Sequence, residues 1–157
     1  MTNFVFIHST GGNPKETFYK WLKKELERKG HSVYSPFFPT PLDQALDNWL
    51  KEFEPYWKYV NEDTIFMGRS IGPAFILRLL EKSPVKVKAS FMIAGFCSDI
   101  GLDEFKPLID TFIGKTFDWQ KIRKNCGRFF VYCSDNDRYV PLKNSRELAK
   151  NLLTRIR

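Results

Sequence analysis

A chain of 157 residues with 43% hydrophobic and 16% aromatic content is about one domain in size, and too apolar for a disordered or low-complexity class. The net charge of +7 and the pI near 9.3 would suit acidic partners. However, the basic residues, among them Lys23, Lys24, Arg28, Arg123, Lys124 and Arg128, fall on polar faces of predicted helices or beside turns. No zinc-finger or RNA-recognition pattern accompanies them, so nucleic acid is not an expected partner. No run approaches the roughly 18 apolar residues of a membrane span, and no membrane partner is expected. Cys97, Cys126 and Cys133 are an odd count without C-x-x-C spacing, and the N-terminus runs straight into a strand-like VFIH. Both features point to a cytoplasmic, reducing compartment.

In chain order, residues 4–7 predict a buried strand and residues 8–13, HSTGGN, a turn. Asn13 then serves as a helix cap with Pro14 first and Glu16 third, the apolar face carrying Phe18, Trp21, Leu22 and Leu26, and Gly30 as the stop. Residues 32–35 predict a short second strand, broken by PFFPTP. Thr40, Pro41 and Asp43 cap a second helix with Leu42, Leu46, Trp49, Leu50 and Phe53 at helical spacing, disturbed at its end by Pro55. Residues 64–67 predict a third strand, 71–82 a third helix, 87–94 a fourth strand, 128–134 a fifth strand and 142–153 a last helix. Strands alternating with helices imply a parallel sheet covered on both faces, a three-layer αβα sandwich of about five strands in a single domain over residues 1–157. Between the fourth and fifth strands an excursion over residues 96–125 holds two short amphipathic pieces, a candidate cap over a pocket.

Ligands of open parallel sheets bind beyond the carboxyl ends of the strands, so an active site is expected in the loops that follow them. Gly68-Arg69-Ser70-Ile71-Gly72 sits where the third strand turns into the third helix, and fits the G-x-S-x-G nucleophile elbow. The strained turn lifts the Ser70 hydroxyl off the sheet and leaves the Ile71 N–H free to bind an oxyanion. Ser9 or Thr10, in the glycine-bearing loop after the first strand, supplies the second oxyanion donor. Asp137, in SDNDRYVP after the fifth strand, is the candidate triad acid in preference to Asp135. A flavin loop is disfavoured because His8, Asn13 and Pro14 stand where hydroxyls or donors are wanted, and G-x-G-x-x-G is absent. No cofactor is expected, and no metal, because no histidine pair or carboxylate cluster occurs at ligand spacing.

The blocks IHSTGG, GRSIGPAFILRLLE, AGFCSDIG, FDWQKI and CSDNDRYVPLKNSRELAKNL together resemble the small serine hydrolases of retinoblastoma-binding protein nine and the bacterial YdeN-like proteins, within the alpha/beta-hydrolase superfamily. The resemblance implies Ser70 as nucleophile and Asp137 as acid. Two departures accompany it. Ser9 follows His8 where the family has His-Gly, and the family places its catalytic histidine beyond a sixth strand.

A sixth strand and its loop need roughly 8–12 residues past Leu153. Four remain. The sequence contains two histidines: His31 at the opposite edge of the sheet from Ser70, and His8 on the oxyanion side, a packing residue first and a substitute base second. The expected fold is therefore an alpha/beta-hydrolase sheet truncated at its C-terminal end. Its open fifth-strand edge makes homodimer formation the expected cover. The expected function is hydrolysis of a small ester, thioester or amide through an acyl-enzyme on Ser70, made doubtful by the missing histidine. The alternative is a catalytically inactive hydrolase fold serving as an interaction protein.

Overall fold

The computed structural model describes all of residues 1–157. The predicted strands appear as β1 (Asn3–Ile7), β2 (Ser32–Tyr34), β3 (Thr64–Arg69), β4 (Ala89–Ile93) and β5 (Phe129–Tyr132). All pair in parallel, in the order β2-β1-β3-β4-β5. β3 runs beside β1 as far as Ile7↔Gly68 and beside β4 as far as Arg69↔Ile93, so the carboxyl ends of these three strands finish side by side. The loops leaving them converge there.

Between the strands lie α1 (Thr17–Arg28), α2 (Leu46–Phe53) with a following 3₁₀ helix (Glu54–Tyr59), α3 (Ile71–Lys82), α4 (Lys106–Ile113), α5 (Trp119–Lys124) and α6 (Leu142–Asn151). Alternation along the strands divides the core between the two faces of the sheet. Val5, Ile7, Phe66, Met92 and Val131 join α2, α3, α4, α5 and α6 in the larger cluster. Phe6 and Val33, with partly buried Phe4 and Met67, meet Tyr19, Leu22 and Leu26 of α1. α3 is the central helix, buried continuously from Ile71 to Leu80. Each large apolar side chain so buried contributes about 1.5–3 kcal/mol, which fixes the helix bearing the elbow more firmly than any other. No helix is long and apolar enough to cross a membrane.

Four sequence expectations need correction. α1 starts at Thr17, because Asn13 makes a local turn, its Oδ1 accepting from the Lys15 N–H while its own N–H donates to Glu16 Oε1. Its buried stripe is Tyr19, Leu22 and Leu26, leaving Phe18 and Trp21 exposed at 43% and 58%. The second sheet face is covered by α1 only on its β2 side. Phe91 and Phe130 stack at 4.7 Å and remain half-buried, with Tyr132 beside them exposed. Finally, the edge of β5 is not wholly open. Ile156 pairs in parallel with Val131, and the Arg157 N–H donates to Val131 O at 2.8 Å. The last residues begin a further ladder.

The excursion between β4 and β5 is fastened to α3 by Arg78. Its Nε donates to Phe112 O at 2.9 Å, its Nη2 to Lys115 O, and its Nη1 pairs with Glu81 at 3.0 Å. The guanidinium also lies 3.7 Å from the centre of the Phe117 ring. A buried cation needs such complete pairing, and here it holds the backbone of residues 112–117 in place.

Candidate active site

Ser70 has φ 59° and ψ −109°, a conformation that L residues reach only under strain and that is stored where function uses it. Its backbone N–H is held by Ile93 O at 2.9 Å. The neighbouring glycines are demanded by space. A Cβ on Gly68 would lie 2.7 Å from the backbone carbon of Gly72, and one on Gly72 would lie 2.8 Å from Ile7 O. β1, β3 and α3 thus approach so closely at the turn that positions 68 and 72 leave no room for a side chain. The Ser70 hydroxyl donates to no group of the chain, and Ile71, as the first residue of α3, has an N–H without an intrahelical acceptor.

The second donor set comes from the loop after β1. The amides of Ser9 and Thr10 donate to nothing within the chain, while Ser9 O accepts from the Gly12 N–H at 2.9 Å and closes the turn. Side chains brace this loop. Thr10 Oγ1 accepts from Gln44 Nε2 at 2.9 Å, Gln44 also donates to Leu108 O of α4 at 2.7 Å, and Gly11 N–H donates to Thr40 Oγ1 at 2.7 Å. Arg69 joins the loop to the elbow: its Nη2 donates to Ser9 Oγ at 2.9 Å and pairs with Glu16 Oε2 at 3.1 Å. The loop after β1 and the elbow are therefore held against each other by a charge-assisted clamp.

Asp137 sits in the turn after β5, with Oδ1 accepting from the N–H groups of Tyr139 at 2.8 Å and Val140 at 3.0 Å. Its other carboxylate oxygen accepts nothing from the chain. Asp135 is exposed in the same turn. Ser70, Asp137, Ser9, Thr10 and Arg69 all line one cavity of about 520 Å³. Its remaining wall is largely apolar, with Phe96 and Ile100 from the loop after β4, Phe105 and Ile109 from the excursion, and Val140. The excursion thus supplies part of the cavity wall. Phe105 meets Tyr139 edge-on at 5.8 Å and joins the excursion to the Asp137 turn.

His8 does not fit the role of a substitute base. Its ring is 1% exposed and packed on Phe38 and Trp49. Nε2 accepts from the Phe38 N–H at 2.9 Å, which places the proton on Nδ1, where it donates to Ser9 O at 2.9 Å. Both nitrogens are engaged, and no lone pair is left for the Ser70 proton. Burial, the largest influence, lowers its pKa below 6.5 and keeps it neutral. His31 lies at the start of β2, its Nδ1 accepting from the Thr2 N–H at 3.4 Å, at the opposite end of the sheet from Ser70.

Burial also raises Cys97 and Cys126 to about 11 and raises Cys133, so all three are protonated thiols at neutral pH. No group of three or more His, Cys, Asp or Glu side chains comes together at metal-holding distance. The residues that sequence reasoning missed are Arg69, Glu16 and Gln44. Arg69 occupies a position that the G-x-S-x-G pattern leaves free, and its only signal was a charge between Gly68 and Ser70.

Comparison with known proteins agrees with this geometry. A family model described as serine hydrolase matches residues 4–156. YdeN of Bacillus subtilis (strain 168) is 28% identical over 155 residues, covering 97% of this chain and 80% of that protein. The serine hydrolase RBBP9 of Rattus norvegicus is 27% identical over 154 residues, covering 96% and 80%. The crystal structure of the B. subtilis ydeN gene product superposes with a TM-score of 0.90 at 26% identity, over 99% of this chain and 83% of that one. Est1E of Butyrivibrio proteoclasticus, at 14% identity and a TM-score of 0.72 over 99% of this chain and 76% of that one, shares the fold. The resemblance read from the sequence is thus established, and with an alpha/beta-hydrolase fold built around Ser70 the chain belongs to the serine hydrolase family.

Proposed function

We propose that this protein hydrolyses a small ester, thioester or amide through an acyl-enzyme on Ser70. The reading rests on one observation: Ser70 stands in the strained elbow conformation, flanked at positions 68 and 72 by glycines whose added Cβ would crowd the neighbouring backbone, and lines the cavity that Asp137 also lines. In the first step Ser70 Oγ bonds to the substrate carbonyl carbon, and the carbonyl π pair moves onto its oxygen. That oxyanion accepts from the amides of Ile71 and of Ser9 or Thr10. Collapse expels the alcohol, thiol or amine, and water then releases the acid. The Ser70 proton needs a base beside the free oxygen of Asp137. An imidazole brought there by another subunit would meet both groups.

The engagement of both His8 nitrogens favours a second reading, a hydrolase fold retained for binding. Fluorophosphonate labelling of the purified protein separates the two. Labelling that disappears in Ser70→Ala and survives in His8→Gln supports the acyl-enzyme. Folded protein that takes no label supports the binding scaffold and sinks the first reading.

A further inference from the structure

The cavity is lined differently on the two sides of Ser70, with a guanidinium on one side and a mainly apolar wall beside Asp137 on the other. Ser70 follows β3, which lies between β1 and β4. On the β1 side stand Ser9, Glu16 and the Arg69 guanidinium that bonds to both. Phe96 and Ile100 follow β4, and Asp137 and Val140 follow β5, on the other side, where Phe96, Ile100 and Val140 form the apolar wall. Arg69 has five N–H donors, and the contacts to Ser9 Oγ and Glu16 Oε2 are made through Nη2 alone. Nε and Nη1 donate to nothing within the chain, although Arg69 lines the cavity. Its side chain is 41% exposed, so those donors are open to a ligand.

We propose that Arg69 selects a substrate carrying a carboxylate on one side of its scissile carbonyl and an aliphatic group on the other. The carboxylate takes the free N–H groups of Arg69, and the aliphatic group fills the space between Phe96, Ile100 and Val140. Because Glu16 already neutralises the guanidinium, the anion is held by directed charge-assisted hydrogen bonds and not by a net positive field. Glu16 also sets a negative charge beside the same guanidinium, which opposes a second anion there. Its removal therefore strengthens anion binding, an outcome that a purely structural Arg69–Glu16 pair does not produce.

The orientation rests on Ser70 being the reacting residue, but the test reads binding alone. Isothermal titration calorimetry of Ser70→Ala compares monobutyl succinate with its neutral counterpart butyl methyl succinate. The monoanion should bind about tenfold more tightly, the usual worth of a hydrogen bond to a charged group. The Ser70→Ala/Arg69→Met protein should bind both alike, Arg69→Lys should keep part of the preference, and Glu16→Gln should enlarge it severalfold. Equal binding of the two compounds to Ser70→Ala, no binding of either, or a preference that outlives Arg69→Met in folded protein, each overturns the proposal. A protein that keeps the anion preference yet takes no fluorophosphonate is a carboxylate-binding scaffold. One that is labelled without the preference is a hydrolase of different specificity.

Discussion

Ser70→Gly should make the protein more stable while removing the proposed nucleophile. Ser70 sits at φ 59° and ψ −109°, where a non-glycine residue is strained by about 1–3 kcal/mol. Glycine reaches this region freely, but its larger unfolded-state entropy returns about 0.5–1 kcal/mol of the gain. The Ser70 side chain makes no capping hydrogen bond to α3, so nothing else is lost with the hydroxyl. The net expectation is a stabilisation of about 1 kcal/mol, or roughly 2–4 °C in Tm for a chain of this length. Ser70→Ala keeps the Cβ that causes the strain, and should stay within about 0.5 kcal/mol of wild type. Urea denaturation followed by circular dichroism, with a common m-value for the three proteins, reads the difference directly. Ser70→Gly less stable than Ser70→Ala would show that the elbow stores no strain at this residue.

Three further outcomes follow from the geometry. Gly72→Ala forces a Cβ to within 2.8 Å of Ile7 O and should destabilise by about 2 kcal/mol in the same urea assay, whereas an effect under about 0.5 kcal/mol would mean that β1 and α3 can part freely. His8 is buried with its pKa below 6.5, so the folded state binds fewer protons than the unfolded chain once the pH falls under 6.5. The stability His8 contributes is full above that pH and is lost as the pH falls through the folded-state value. Denaturation midpoints at pH 7 and pH 5 should therefore converge in His8→Gln, and an unchanged difference refutes the assignment. Arg78→Met strands Glu81 and the carbonyls of Phe112 and Lys115, and should cost about 3 kcal/mol, with hydrogen exchange rising first across residues 112–117. Uniform exchange along the chain would show that Arg78 does not hold the excursion.

Much of the active-site outline was legible because it is local. The G-x-S-x-G spacing already implies a close turn, and the glycine contacts at Gly68 and Gly72 supply its steric reason. α3 ran from residue 71 to 82 as its apolar pattern predicted. In α1, Leu22 and Leu26 face inward as expected, but Phe18 and Trp21, apolar at plausible spacing, do not, and only the packing of β1 decides that Tyr19 is buried instead. The capping role given to Asn13 failed for a similar reason: Glu16 is drawn to Arg69 and to the Asn13 amide, which delays the helix.

The sequence by itself determined the strand and helix order, the elbow and the candidate acid. Each depends on residues near one another in the chain, where backbone sterics and hydrophobic period act directly. Tertiary structure decided which loops meet. Arg69 reaches Ser9 across 60 positions, His8 is silenced by the amide of Phe38 across 30, and Ile156 finds Val131. No local rule fixes such pairings. They arise because one sheet order sets β1 beside β3 and β5 at the edge, and because buried polar groups must find partners wherever the fold has brought them.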